Sequence, residues 1–220
     1  MTKLGIVMPV YNHVLYTYRA VESLIENTAS PFNLIMIDDG STDDTHDYAM
    51  ELSDLLKERF YYGRNQKNEG VHYSWNAGLR VAFDQNSDYI AIVNNDVLFT
   101  KNWDLPLINA LKTKKLVSPY HTDCSLPDDW PSGSRRIANQ GNLPILGACF
   151  MAQTQTFRDV GFFPEQMRYY FGDNWLVRQV GEQQCAQVPD SYTHHYFSKT
   201  TSELANDYWF KKDQEEYLRL

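Results

Sequence analysis

Asn94, Asn95 and Asp96 cut across an otherwise apolar run, "YIAIVNNDVLF". Two amides and a carboxylate at the end of a strand forfeit burial and offer oxygen atoms. Oxygen atoms of that kind hold hard divalent cations such as Mg2+ or Mn2+. Two further polar clusters end apolar runs in the same way, "MPVYNH" after Leu4–Met8 and "IDDGSTDD" after Asn33–Ile37. In open parallel sheets, ligands bind outside the carboxyl ends of the strands. The three clusters together would gather Tyr11, Asn12, Asp38, Asp39, Asn95 and Asp96 at one crevice. "DDGS" taken alone reads equally well as a simple turn.

The elements that must position these residues follow an α/β rhythm. Leu4–Met8, Asn33–Ile37, Phe60–Tyr62 and Tyr89–Val93 read as strands, starting roughly 28 residues apart, about one βαβ unit. Between the first two, Val14, Leu15, Tyr18, Val21, Leu24 and Ile25 recur at near-helical spacing. "STDDTHDYAMELSDLLKE" opens with hydroxyl and acidic residues suited to a helix N-terminus, and Val71 to Phe83 forms a third helical pattern. Strands alternating with helices predict a Rossmann-like, mostly parallel sheet covered on both faces. Beyond Asp96, Trp103–Leu111, Thr154–Val160 and Asp173–Val180 read as helices, Leu116–Ser118 as a short strand, and the segment from Glu203 as a last helix. A stretch of roughly two dozen residues rich in Pro, Gly, Ser and Asp begins at Pro119 and reads as a long functional loop.

The 220 residues suit one domain: residues 1–100 a ligand-binding half, 101–200 a second half, 201–220 a tail. A net charge of −8 argues against broad nucleic-acid or anionic-membrane binding. Cys124, Cys149 and Cys185 are widely spaced and odd in number, the pattern of reduced thiols in a cytoplasmic protein. No apolar run approaches the roughly 20 residues of a membrane span.

The motifs resemble glycosyltransferase family 2, the inverting enzymes of the GT-A fold. "IVMPVYNH", "LIMIDDGSTDDT", "NEGVHYSWNAGL", "IVNNDV", "LGACFMAQTQTFRDVGFFPE", "YYFGDNWLVRQVG" and "VPDSYTHHYFS" occur in the family's order from about Lys3 to Ser198. The resemblance implies a nucleotide-diphosphate sugar donor, a divalent cation (Mn2+ or Mg2+) and inversion at the transferred sugar. It implies that Pro9, Val10, Tyr11, Asn12 and Asp39 hold the nucleoside, with Asp39 facing the base. Asn68, Asn76 and Gly78 would border the donor. Asn95 and Asp96 stand in the place of the family's metal-binding "DxD", with one carboxylate left of two. His195, six residues after Pro189, matches a late metal-ligating histidine, and His194 is its alternative. Asp173 in "FGDNW" matches the family's catalytic base, one residue out of step when the motif is anchored on Arg178; it could equally cap a helix. Glu165 is a second acid nearby.

Trp175, Tyr169, Tyr170 and Phe171 could stack on sugar faces or pack in the core, and Arg135 and Arg136 could clamp a diphosphate or stay solvated. Uridine diphosphate is the first expectation for the carrier and deoxythymidine diphosphate the second. Glycan, lipid-linked, protein or other hydroxyl acceptors remain open. A different sugar-nucleotide enzyme would want a Gly-rich, basic phosphate loop after the first strand, which "MPVYNH" lacks. No GxGxxG follows that strand either, against a nicotinamide oxidoreductase. A non-catalytic binding relative is the third reading, kept open by the single carboxylate and by the offset of Asp173.

Overall fold

A computed structural model describes residues 3–123, 144–196 and 207–220. Strand β1 (Leu4–Val10) is buried along its whole length. It pairs in parallel with β2 (Phe32–Asp38) on one side and β4 (Tyr89–Val93) on the other, and β3 (Phe60–Arg64) continues from β2. Because successive side chains on a strand point to opposite faces, β1 feeds two cores. Leu4, Ile6, Met8 and Val10 pack with Ala20, Val21 and Leu24 of α1 (Val14–Asn27) and with Ala49 and Leu52 of α2 (Thr45–Leu56). Val7 turns to the other face, against Leu79 and Ala82 of α3 (Val71–Asp84). The helix can lie this close only because position 78 is glycine: a Cβ there would run into Val7 Cγ1.

The first three strands run past their apolar stretches because the ladder carries them on, through Pro9↔Ile37, Val10↔Asp38 and Asp38↔Arg64. Polar residues are thereby delivered at strand ends with strand geometry. One side chain, Asp43, fixes two helix starts: Oδ2 accepts from Val14 N at 2.9 Å, and Oδ1 accepts from Thr45 N and from the Thr45 hydroxyl.

Past β4 the sheet becomes mixed. Its full order is β3-β2-β1-β4-β7-β6-β8-β5, with β5 (Val97–Phe99), β6 (Leu116–Asp123), β7 (Cys149–Gln153) and β8 (Cys185–His195). β4 and β6 each meet β7 antiparallel, β6 and β8 run parallel, and β5 meets β8 antiparallel. Helices α4 (Asp104–Ala110), α5 (Thr154–Val160), α6 (Gly172–Val180) and α7 (Asp207–Arg219) complete the described elements.

One expectation is corrected here, and one strand had not been foreseen. The long loop does not begin at Pro119: residues 119–123 continue β6, held by β8 through Pro119↔Val188 and His121↔Thr193. β8 itself had no strand reading, because the residues it buries near its end are Ser191 and Thr193 rather than apolar ones. Arg135 and Arg136 lie outside the described residues.

Candidate functional site

β2, β1 and β4 are adjacent in the sheet, so their polar ends meet. They open into a cavity of about 410 Å3 lined by Pro9, Val10 and Tyr11 at the end of β1, Asp39 just past β2, and Asn94, Asn95 and Asp96 just past β4. Asn68 borders it from the first half of the chain, and His121, Gly172, Asp173, Asn174 and His195 close it from the second.

Asp39 sits in a cradle of donors. Asn65 Nδ2 and Glu69 N donate to Oδ1 at 2.7 and 2.9 Å, and Gly70 N donates to Oδ2 at 2.9 Å. Gly70 presents its N–H from a φ of 103°, a conformation glycine adopts freely, and a Cβ there would press on the Arg168 carbonyl. Burial still dominates and raises the Asp39 carboxyl above the ordinary carboxylate range, although these hydrogen bonds pull it down. Next to it, Asp38 is occupied structurally, accepting from Ser41 N and from the Tyr62 hydroxyl.

Asn68 borders the cavity and is fixed on two sides. Arg168 Nη2 donates to its carbonyl at 2.6 Å, and the Tyr169 hydroxyl donates to its Oδ1 at 2.8 Å.

At the β4 end, Asp96 is 3 % exposed and its Oδ1 lies 3.2 Å from His195 Nε2. Sheet pairing brings the two together: β5 and β8 run antiparallel with Val97 opposite His195, and Tyr196 N donates to the Asp96 carbonyl. Two ligands at right angles on an ion with bonds of about 2.1 Å stand about 3 Å apart, so this pair fits two neighbouring positions on Mg2+ or Mn2+. Among the described residues no three His, Cys, Asp or Glu side chains group around one ion position. The fit is therefore to an ion that takes its remaining ligands from water and substrate, which is the habit of Mg2+. Asn95 turns its amide away, donating to the Thr17 hydroxyl of α1 at 2.9 Å, and so holds the turn that aims Asp96.

Asp173 stands in the first turn of α6, whose N-cap position is Phe171, and its Oδ1 accepts from Asn174 N at 2.9 Å. Gly147 backs directly onto it: a Cβ there would lie 2.9 Å from Oδ2. Burial raises its carboxyl above the ordinary value. Asp173 and Asn174 also line a second cavity of about 360 Å3 with Val177, Arg178, Glu182 and Tyr217, so the carboxyl lies between two open spaces. Glu165 is not at the cavity and is held by Asn76 Nδ2 and Arg80.

Three residues expected around the donor lie elsewhere. Asn76 is buried on α3, where its amide donates to the Phe163 carbonyl and accepts from Phe163 N, tying α3 to the segment after α5. Gly78 is the α3–β1 contact described above. Asn12 shapes the loop after β1, donating to Ser41 Oγ and accepting from Thr42 N. Trp175, expected on the acceptor side, does not line the cavity and is a core residue packed on Phe163. His194 is not among the cavity-lining side chains.

Sequence reasoning passed over His121, Phe210, Trp75 and the backbone at Leu146–Ala148, all of which line the cavity. Asn94 lay in view inside the "NND" cluster. Nothing in the sequence marked His121. It is 2 % exposed, hydrogen-bonded through Nδ1 to the Thr193 hydroxyl, and its ring centre lies 6.2 Å from that of His195. Burial first, then the neighbouring His195, hold its basicity down to about 3. Phe210 arrives from α7, which is bolted to the cavity wall by Asp213. That fully buried carboxylate accepts from Arg168 N, Tyr169 N and Tyr170 N at 3.0, 2.8 and 3.0 Å.

A parallel α/β half with an acid just past each of two strand ends, a mixed second half, and a carboxylate–histidine pair between them form the GT-A arrangement of sugar-nucleotide enzymes. Solved structures agree on the fold. GalNAc-T7, crystallised with UDP, GalNAc and Mn2+, superposes with a TM-score of 0.72 over 90 % of this chain and 44 % of that one, at 16 % identity. The mannosyltransferase PcManGT from Pyrobaculum calidifontis, in complex with GDP-Man and Mn2+, gives 0.69 over 99 % and 64 %, also at 16 % identity. The chain belongs to glycosyl transferase family 2, whose model matches residues 5–181. An uncharacterized glycosyltransferase of Rickettsia felis is 35 % identical over 105 residues, which is 46 % of this chain and 16 % of that protein. The chain thus spans a minor part of that relative's length.

Proposed function

We propose that this domain is an inverting, metal-dependent glycosyltransferase that moves a sugar from a nucleoside-diphosphate carrier, UDP first among the candidates, to an acceptor hydroxyl. The observation that carries the reading is the Asp96–His195 pair, 3.2 Å apart, in the cavity that also contains Asp39 and Asp173. Asp39, held rigid by Asn65 and two backbone amides, presents its carboxylate to a base N–H. Pro9, Val10 and Tyr11 flank the nucleoside. A divalent cation held by Asp96 and His195 would neutralise charge on the departing diphosphate.

Asp173 accepts the proton of the acceptor hydroxyl as its oxygen attacks the anomeric carbon, and the bond to the diphosphate oxygen breaks on the opposite face. A carboxyl whose pKa is raised by burial suits that role, since it is a stronger base than an exposed one. The second cavity beside Asp173 favours an acceptor approaching from that side. The names of the structural neighbours support a nucleotide-sugar donor and Mn2+. The buried thiols of Cys149 and Cys185 agree with a reducing, cytoplasmic setting, and no described helix is long and apolar enough to cross a membrane.

Calorimetric titration with UDP, dTDP and GDP, each with Mn2+ and with chelator, tests the reading on wild type and Asp96→Ala. Metal-dependent binding of one nucleotide, lost in the variant, is the expected result. Absence of binding by all three nucleotides in wild type would sink the transferase reading and leave a non-catalytic binding relative.

A further inference from the structure

Two residues that line the cavity, Trp75 and His121, each have a buried ring nitrogen without a hydrogen-bond partner among the described residues, and His121 is the one whose ring lies beside that of His195. His121 lies on β6 opposite Thr193 of β8, and its Nδ1 is taken by the Thr193 hydroxyl, while its Nε2 is buried and has no hydrogen-bond partner among the described residues. The network assigns the proton. Thr193 is itself fully buried, and among the described residues its hydroxyl bonds to His121 alone. If Nδ1 carried the hydrogen, the Thr193 hydroxyl would accept, and its own proton would be buried without an acceptor, which is costly. With Thr193 donating to Nδ1, that proton is satisfied and the imidazole hydrogen sits on Nε2. A doubly protonated ring would carry a hydrogen on Nε2 as well. In each case the nitrogen on the edge away from Thr193 is a donor lacking an acceptor.

Such a donor, in a cavity with the Asp96–His195 pair and with its ring 6.2 Å from that of His195, stands beside the position expected for diphosphate oxygens. A metal-ligand role suits it less. A ligating nitrogen must present a lone pair, and no three-ligand group including it forms among the described residues. We propose that His121 is a catalytic residue of the transfer reaction, donating from Nε2–H to an oxygen of the donor's diphosphate and so holding the leaving group. This rests on the transferase reading above. Its physical content is that a buried N–H is given its acceptor only when substrate arrives, as preorganised donors are at other sites of developing negative charge.

The test compares UDP with UMP, because the two ligands share a nucleoside and differ in the distal phosphate. Calorimetry with Mn2+ on wild type, His121→Phe and His121→Gln should show UDP affinity reduced roughly tenfold to a hundredfold in the Phe variant. UMP affinity and nucleotide-free Mn2+ affinity should be unchanged, and the Gln variant, which keeps an N–H donor, should recover part of the loss. Unchanged UDP affinity in the Phe variant, or an equal loss for UMP, would overturn the proposal. Weakened Mn2+ binding without nucleotide would overturn it too, in favour of a ligand role.

Should the Phe variant fail to fold, 15N-histidine spectra of wild type decide. The expected result is a His121 signal protonated on Nε2 that moves with UDP and Mg2+ and stays still with UMP; an Nδ1-protonated ring would refute it. Wild type that binds no nucleotide at all would strike the transferase reading first, and the His121 proposal with it.

Discussion

At the residue scale, two acids of the cavity are held in states that cost the fold something. Asp173 and Asp39 both have carboxyls raised by burial, so the ionised form of each is less comfortable folded than unfolded. The linkage sign follows: stability contributed by such a group is present below its ordinary pKa and is lost as pH rises through the raised one. Asp173→Asn should therefore leave the thermal midpoint at neutral pH unchanged or higher, while removing the base and lowering turnover by about 10^2- to 10^4-fold. Differential scanning calorimetry and a transfer assay with the nucleotide sugar chosen by binding check both halves. A variant that loses stability and keeps turnover would make Asp173 a structural residue. Wild-type turnover should also fall on the acid side at a pH above the ordinary carboxylate range, as Asp173 protonates.

Asp39→Ala differs in kind, because it leaves the amides of Glu69 and Gly70 without their acceptor. It should cost about 1–3 kcal/mol in denaturant unfolding as well as nucleotide affinity. Unaltered stability would mean that the cradle re-forms around water.

At the element scale, the α/β half was legible because burial and period agree there. Strand β4 and helix α5 carry the bounds read from hydropathy, since apolar residues at those positions are the ones that pack. The second half resisted reading where the sheet buries polar residues. β8 hides Ser191 and Thr193, the first donating to the Trp103 carbonyl and the second bonded to His121, so hydropathy does not alternate even around Asp190–Thr193, where burial does. The site split the same way. Asp39, Asp96 and Asp173 were visible as acids at element ends, whereas Asn76 and Gly78 lay in a matching motif yet serve packing. His121 needed β6 to run farther than its apolar stretch.

Helix α7 shows what a charged, mixed segment conceals: one buried carboxylate organises it. Asp213→Ala would strand the amides of residues 168–170 and should destabilise the protein by about 2–3 kcal/mol. Hydrogen exchange at those amides should accelerate more than at β1, where the ladder is untouched. Equal protection in variant and wild type would show that α7 rests on the wall without holding it.

At the scale of the whole molecule, the acids and the histidines set opposing responses to pH. His72 is fully buried on α3, donating from Nδ1 to the Met167 carbonyl and stacked against Phe163, and burial lowers its pKa from 6.5 to about 4. Between those values the unfolded chain binds the proton and the native one does not, so stability contributed by the neutral ring declines as pH falls through that window. One such group contributes a slope of up to about 1.4 kcal/mol per pH unit. His121 is depressed for the same reason and adds to it. Asp39 and Asp173 work the other way between 3.8 and their raised values, so where the two ranges overlap they offset part of the histidine slope.

The histidine contribution is expected to weaken the protein on acidification from pH 6.5 to 4, measured by urea unfolding with chelator present to keep any metal out of the balance. His72→Gln keeps a donor for Met167 and does not titrate, so its stability curve should be flatter over the same range, by about the slope of one proton. If the variant and wild type run parallel, His72 is charged in the native state or exchanges with solvent, and the tight seam between α3 and the start of α6 is looser than its packing implies. That seam matters for the proposed function, because the ring's far edge lies so close to Gly172, the residue directly before Asp173, that a Cβ there would run into Nε2. Acid that charges His72 would push on the helix start that aims the proposed base, so the loss of activity on acidification should be partly reversible near pH 6 and increasingly coupled to unfolding toward pH 4.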